Sequence, residues 1–69
     1  MERTPVSSSN IASVGYDAGT STLQVEFNNG TIYDYYDVPE HTYTDLIDAS
    51  SVGSFFHANI RNIYSFQQV

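Results

Sequence analysis

The sequence predicts an α+β domain: a three-stranded antiparallel meander followed by two helices packed on one face. Three observations carry that expectation. Leu23-Gln24-Val25-Glu26-Phe27 alternates strictly between apolar and polar residues, the period of a half-buried strand. Asn28-Asn29-Gly30 follows at once, and such residues tolerate the positive φ that closes a hairpin. Tyr43, Leu46 and Ile47 then recur at helical spacing.

The elements follow in order. Thr4 to Asn10 is small, polar and proline-containing, so residues 1–9 are expected to form a flexible leader and residues 10–69 a single domain. Ile11 to Tyr16 alternates loosely and reads as a first strand, with Ala12, Val14 and Tyr16 on one face. Gly15 inside it signals a bulge or a close backbone approach. Asp17 to Ser21 is a loop by composition. After the second strand and its turn, Thr31 to Val38 is rich in Tyr and β-branched residues and makes the third strand. Two turn geometries compete here. A two-residue turn places Asp34 on the face of Leu23, Val25 and Phe27. A three-residue turn with Gly30 in a bulge places Tyr33 and Tyr35 there instead. Burying an unpaired carboxylate beside Val25 is costly, which favours the bulged turn.

Pro39 suits the first turn of a helix, where its missing N–H costs nothing, with Asp37 as a candidate N-cap and Glu40 near the positive dipole end. Tyr43, Leu46 and Ile47 form its apolar face, with His41, Thr44, Asp45 and Asp48 mostly opposite. Ser50 to Gly53 interrupts the pattern. A second helix is expected from about Ser54 to Asn59 or Asn62, with Phe56 and Ile60 one turn apart. Ile63 to Phe66 fits a final extended piece or a frayed end equally well.

Composition excludes several functions. A chain of 69 residues forms one domain at most. It has no cysteine, so disulfides, redox chemistry and thiolate zinc sites are excluded, and its six Tyr and four Phe must supply much of the core. No apolar run approaches the roughly 20 residues that span a bilayer, and Met1 to Pro5 does not resemble a secretion signal. A cytoplasmic location without membrane contact is expected. Eight acidic residues face only Arg3 and Arg61, and the net charge is −6. Nucleic acids and anionic membranes are held mainly by Lys and Arg, so this field opposes both.

The order of residues resembles a known family. Val14-Gly15-Tyr16-Asp17, Leu23-x-Val25-x-Phe27-x-x-Gly30, Tyr33-x-Tyr35 and Val38-Pro39 are similar to the KTSC domain. So is Ser51-x-Gly53-x-x-Phe56-x-x-x-Ile60-Arg61-x-x-Tyr64, and the resemblance covers roughly residues 7 to 64. That family is named for its occurrence at the C-terminus of some lysyl-tRNA synthetases. It also occurs as short free-standing bacterial and phage-type proteins, which this chain resembles. The resemblance implies no catalytic residue and no cofactor. It does imply an RNA-binding role through the central Tyr33-Asp34-Tyr35, since aromatic side chains on a sheet can stack bases.

Four residues are candidate binding residues: Tyr33, Tyr35, Tyr36 and Arg61. In the bulged register Tyr33 and Tyr35 are core tyrosines, while Ile32 and Tyr36 form an apolar stripe on the opposite face that would suit a partner. Arg61 is the one basic residue within the predicted domain. It either pairs with an acidic neighbour or stacks on Tyr64, or it anchors a carboxylate or phosphate. His41, Asp45 and Asp48 share a helix face but supply too few convergent ligands for a tight metal site. No nucleophile elbow or phosphate loop is present. The expected function is a non-enzymatic interaction module that binds a protein partner through a sheet edge or the exposed stripe. An RNA-binding accessory domain using Tyr33 and Tyr35 is the alternative.

Overall fold

Alternation of apolar and polar residues builds the centre of the sheet, and the chain on either side of it adds two strands. The computed structural model describes all 69 residues, Met1–Val69. Its strands are β1 (Arg3–Pro5), β2 (Ile11–Asp17), β3 (Thr22–Phe27), β4 (Ile32–Tyr35) and β5 (Phe66–Gln68), with helices α1 (Glu40–Asp48) and α2 (Val52–Asn59) between β4 and β5. All neighbouring strands are antiparallel and the order is β1-β2-β3-β4-β5. The α+β class and two helices match the expectation. Five strands replace the expected three.

The first added strand lies in the segment expected to be a loose leader. Arg3, Thr4 and Pro5 pair with Gly15, Val14 and Ser13. Polar residues after them are tied down locally: the Ser8 hydroxyl accepts from the backbone of Asn10 and Ile11, and the Asn28 amide donates to the Ser8 and Ser9 carbonyls. Such side-chain bonds hold a segment that has little apolar surface of its own. Pro5 is tolerated because β1 is an edge strand, where a missing N–H costs no ladder bond. Gly15 is where the edge strand comes close. A Cβ there would lie 2.5 Å from the Glu2 carbonyl oxygen, so a close backbone approach is the reason for the glycine. The bulge falls earlier in the strand, between Ile11 and Ser13. It turns buried Ile11, rather than Ala12, into the core with Val14.

The β3–β4 hairpin takes the three-residue turn. Leu23 faces Tyr35, Val25 faces Tyr33 and Gln24 faces Asp34. Phe27 exchanges backbone bonds with Gly30 and Thr31, and Gly30 sits at φ 91°. Glycine meets that positive φ without the Cβ clash of other residues. Asp34 thereby reaches the solvated face, where the Gln24 amide donates to it at 3.0 Å.

Both helices cover the other face. Ile11, Val14, Leu23, Val25, Tyr35, Val38, Leu46, Val52, Phe56 and Ile60 form one buried cluster. Pro39, not Asp37, is the N-cap of α1, and its carbonyl accepts from Thr42. Asp37 is instead in a turn with φ 59°, a conformation that acidic and amide residues tolerate better than most. α2 begins two residues before the expected Ser54, because the Ser51 hydroxyl accepts from the Ser54 N–H and caps it. The serine-rich break is therefore a helix start.

A candidate binding groove between α2 and the β5 edge

The bulged register decides where the four candidate residues lie. Tyr33 and Tyr35 point to the helix-covered side of the sheet, and β5 pairs Tyr35 with Phe66 and Tyr33 with Gln68. Tyr35 is 4% exposed, packed edge-on against Phe56 with ring centroids 5.4 Å apart. Phe27 meets both Tyr33 and Phe56 edge-on at 5.7 and 5.6 Å. Phe66 lies 5.8 Å from Tyr33 and 5.6 Å from Tyr35 but remains 56% exposed.

This aromatic group is not sealed. It floors an open groove of about 720 Å³ bounded by the start of β2, the β3–β4 turn, α2 with the turn after it, and β5. Arg61 and His57 stand at its α2 side, with Arg61 Nη1 3.2 Å from His57 Nδ1. The i,i+4 spacing places these two on one side of the helical turn. Arg61 does not pair with a carboxylate or stack on Tyr64. The chain's one close ion pair belongs to Arg3 and Glu26, at 4.0 Å on the opposite face of the sheet. None of the eight acidic residues lines the groove. An acidic protein thus presents a groove whose only formal charge is positive.

The Tyr35 hydroxyl is the second polar feature. Tyr33 reaches Gln68 Oε1 at 3.5 Å, whereas the Tyr35 hydroxyl makes no hydrogen bond within the chain. No buried side-chain oxygen or nitrogen is left without a partner, so this hydroxyl is open to the groove that Tyr35 lines. Burial holds its pKa above the ordinary 10.0, the neighbouring Tyr33 pushes the same way, and Arg61 opposes them. It is therefore a neutral donor at physiological pH.

Tyr36 lies elsewhere. With Ile32 and Asp34 it belongs to the outer face, and its hydroxyl donates to Gln67 Oε1 at 3.3 Å. Ile32 and Tyr36 are half-buried rather than an open stripe, because β5 lies alongside: Val69 N–H donates to the Ile32 carbonyl and Tyr36 N–H to the Ser65 carbonyl. The rest of the outer face is a polar network. Arg3 donates to Ser13 at 3.0 Å and to Gln24 at 2.6 Å, and Ser13 donates to Glu26 at 2.8 Å. The free sheet edges are β1 and β5.

His41 and Asp45 are exposed on α1, and the structure brings no three His, Asp or Glu side chains together as metal ligands. No helix is long and apolar enough to cross a membrane. Sequence reasoning missed Phe66 as a site residue. Its one signal was its place in the Ile63–Phe66 run, too short to fix a strand or its partner.

A five-stranded antiparallel sheet with two helices on one face, and an aromatic groove beside the second, defines a small α+β domain. Residues 7–64 match the model of the KTSC domain, and the chain belongs to that family. A KTSC domain protein from Yersinia pestis of known crystal structure superposes with a TM-score of 0.93 at 36% identity, covering 99% of this chain and 96% of that one. A protein from Tsukamurella paurometabola is 39% identical over 57 residues, 83% of this chain and 85% of its own length. A lysine–tRNA ligase from Nostoc punctiforme is 36% identical over 59 residues, 86% of this chain. The chain spans about a tenth of that ligase's length, 10%.

Proposed function

We propose that this KTSC domain is a non-enzymatic interaction module that binds a protein partner in the groove between α2 and β5. The observation that supports this reading is the half-exposed Phe66 over a floor of Tyr33, Tyr35 and Phe56. Exposed aromatic rings beside buried ones offer contact area at little entropic cost, the feature that concentrates binding energy in interfaces. Scattered carboxylates without a shared pocket supply no acid–base pair, which favours binding over catalysis.

RNA is the second reading, favoured by the relatives among lysine–tRNA ligases. The net charge of −6 opposes it. Affinity capture from host lysate, with bound protein and RNA both identified, separates the two. A protein retained by the wild type and by Ile32→Ser, but lost with Phe66→Ser, supports the groove. Retention that survives Phe66→Ser and fails with Ile32→Ser moves the interface to the outer face. Recovery of RNA in place of protein makes the nucleic-acid reading the leading one.

A further inference from the structure

The groove's chemistry points to what it would hold. Its floor is aromatic, so the occupant brings a ring or a large apolar side chain. Its charge is a single arginine. Arg61 engages His57 through one terminal nitrogen and leaves its remaining N–H groups without a partner in the chain. A guanidinium presents paired N–H groups that match the two oxygens of a carboxylate. In the lining of the same groove, the Tyr35 hydroxyl is an unpartnered donor on a residue only 4% exposed. Tyr35 and Arg61 both line the groove, one at its floor and one at its α2 side. Two unspent donors, one charged and one neutral, therefore line a groove that contains no acid. They suit an acceptor of one negative charge.

Charge complementarity also limits the number of charges. A polyanion meets one cation in the groove and eight carboxylates over the rest of the molecule, whereas a monoanion gains the Arg61 contact against a screened field. We propose that the groove takes a segment of a partner protein presenting one carboxylate beside an aromatic or large apolar side chain, the carboxylate held by Arg61 and the Tyr35 hydroxyl. This assignment rests on the groove being the interaction site.

The test is selection of displayed random heptapeptides on the intact domain, followed by titration of the best peptide and its Glu→Gln or Asp→Asn counterpart. The expected outcome is enrichment of peptides with one acidic residue next to Phe, Tyr, Trp or Leu. Neutralising the acid should weaken binding by roughly tenfold or more, as should Arg61→Gln, and the two changes together should be no worse than either alone, the sign of a direct pair. Arg61 is exposed, so Arg61→Gln should leave the melting temperature unchanged and report binding alone. Tyr35→Phe keeps the ring and should weaken the acidic peptide more than its amide counterpart. Three results overturn the proposal: enriched peptides without an acid, additive losses in the double change, or tighter binding of a phosphorylated peptide or an oligonucleotide than of any carboxylate peptide. If lysate capture depends on Phe66 but the acid is irrelevant, the groove stands and this assignment falls. If capture is independent of Phe66, the groove itself is wrong.

Discussion

Phe56 is the residue on which α2 and the sheet depend, and truncating it tests the packing most directly. Its ring is 5% exposed and stands edge-on to Tyr35 at 5.4 Å and to Phe27 at 5.6 Å. Phe→Ala in a core costs about 3–5 kcal/mol, through lost transfer energy and the cavity left behind. At 0.05–0.15 kcal/mol per residue, a chain of this length has roughly 3–10 kcal/mol in total, so Phe56→Ala removes about a third of it or more. Each kcal/mol moves the melting temperature of a domain this small by about 4–8 °C, so a fall of at least ~12 °C is expected. Phe56→Leu keeps most of the volume and should cost less than about 1.5 kcal/mol. It provides a folded comparison if the alanine variant does not fold. Phe27 is only half-buried, so Phe27→Ala should cost about half as much as Phe56→Ala. Because the rings touch, the double variant should deviate from additivity by about 0.5–1.5 kcal/mol. Thermal and urea unfolding followed by far-ultraviolet circular dichroism is the assay. Melting of Phe56→Ala within about 2 °C of the wild type would refute the assignment of the apolar faces.

Three further outcomes are expected. Gly15→Ala would force its Cβ against the Glu2 carbonyl at 2.5 Å, so it should detach β1 while sparing β2–β4; amide exchange at Thr4 should accelerate and that at Val25 should not. Tyr35 should titrate above 10.0 in an ultraviolet titration, and Arg61→Gln should raise it further because Arg61 favours the phenolate. The raised folded pKa means that the unfolded chain loses this proton first, so stability present below pH 10.0 should fall as pH rises through and beyond that value; Tyr35→Phe should remove this component, and no change would contradict the burial. Labelled single-stranded RNA and transfer RNA should show no saturable anisotropy change below about 10 µM near 150 mM salt, since the groove has one arginine to neutralise phosphate. Binding lost in Tyr33→Ala/Tyr35→Ala would reverse that expectation.

Local chemistry settled much of the fold without tertiary information. Strict alternation at Leu23–Phe27 specified a strand with one buried face, and the cost of a carboxylate beside Val25 selected the bulged turn at Gly30. That choice in turn assigned Tyr33 and Tyr35 to the core side, the most consequential inference for the groove. Gly15 signalled a bulge or a close backbone approach, and the spacings of Tyr43, Leu46 and Ile47 and of Phe56 and Ile60 identified the apolar helix faces. The ordered motifs from Val14 to Tyr64 were specific enough to indicate the family. What stayed illegible shares one physical cause. Arg3–Pro5 and Phe66–Gln68 are three-residue strands with largely exposed side chains, held by backbone bonds to partners that lie eight or more residues away in the sequence. No periodicity develops over three residues, and no local propensity encodes a distant partner. The groove depends on β5, because Phe66 becomes its wall only after the chain returns past both helices to pair with β4. The sequence alone therefore determined the residues of the aromatic floor, while tertiary pairing decided that the floor has an edge, an opening and an uncompensated arginine beside it.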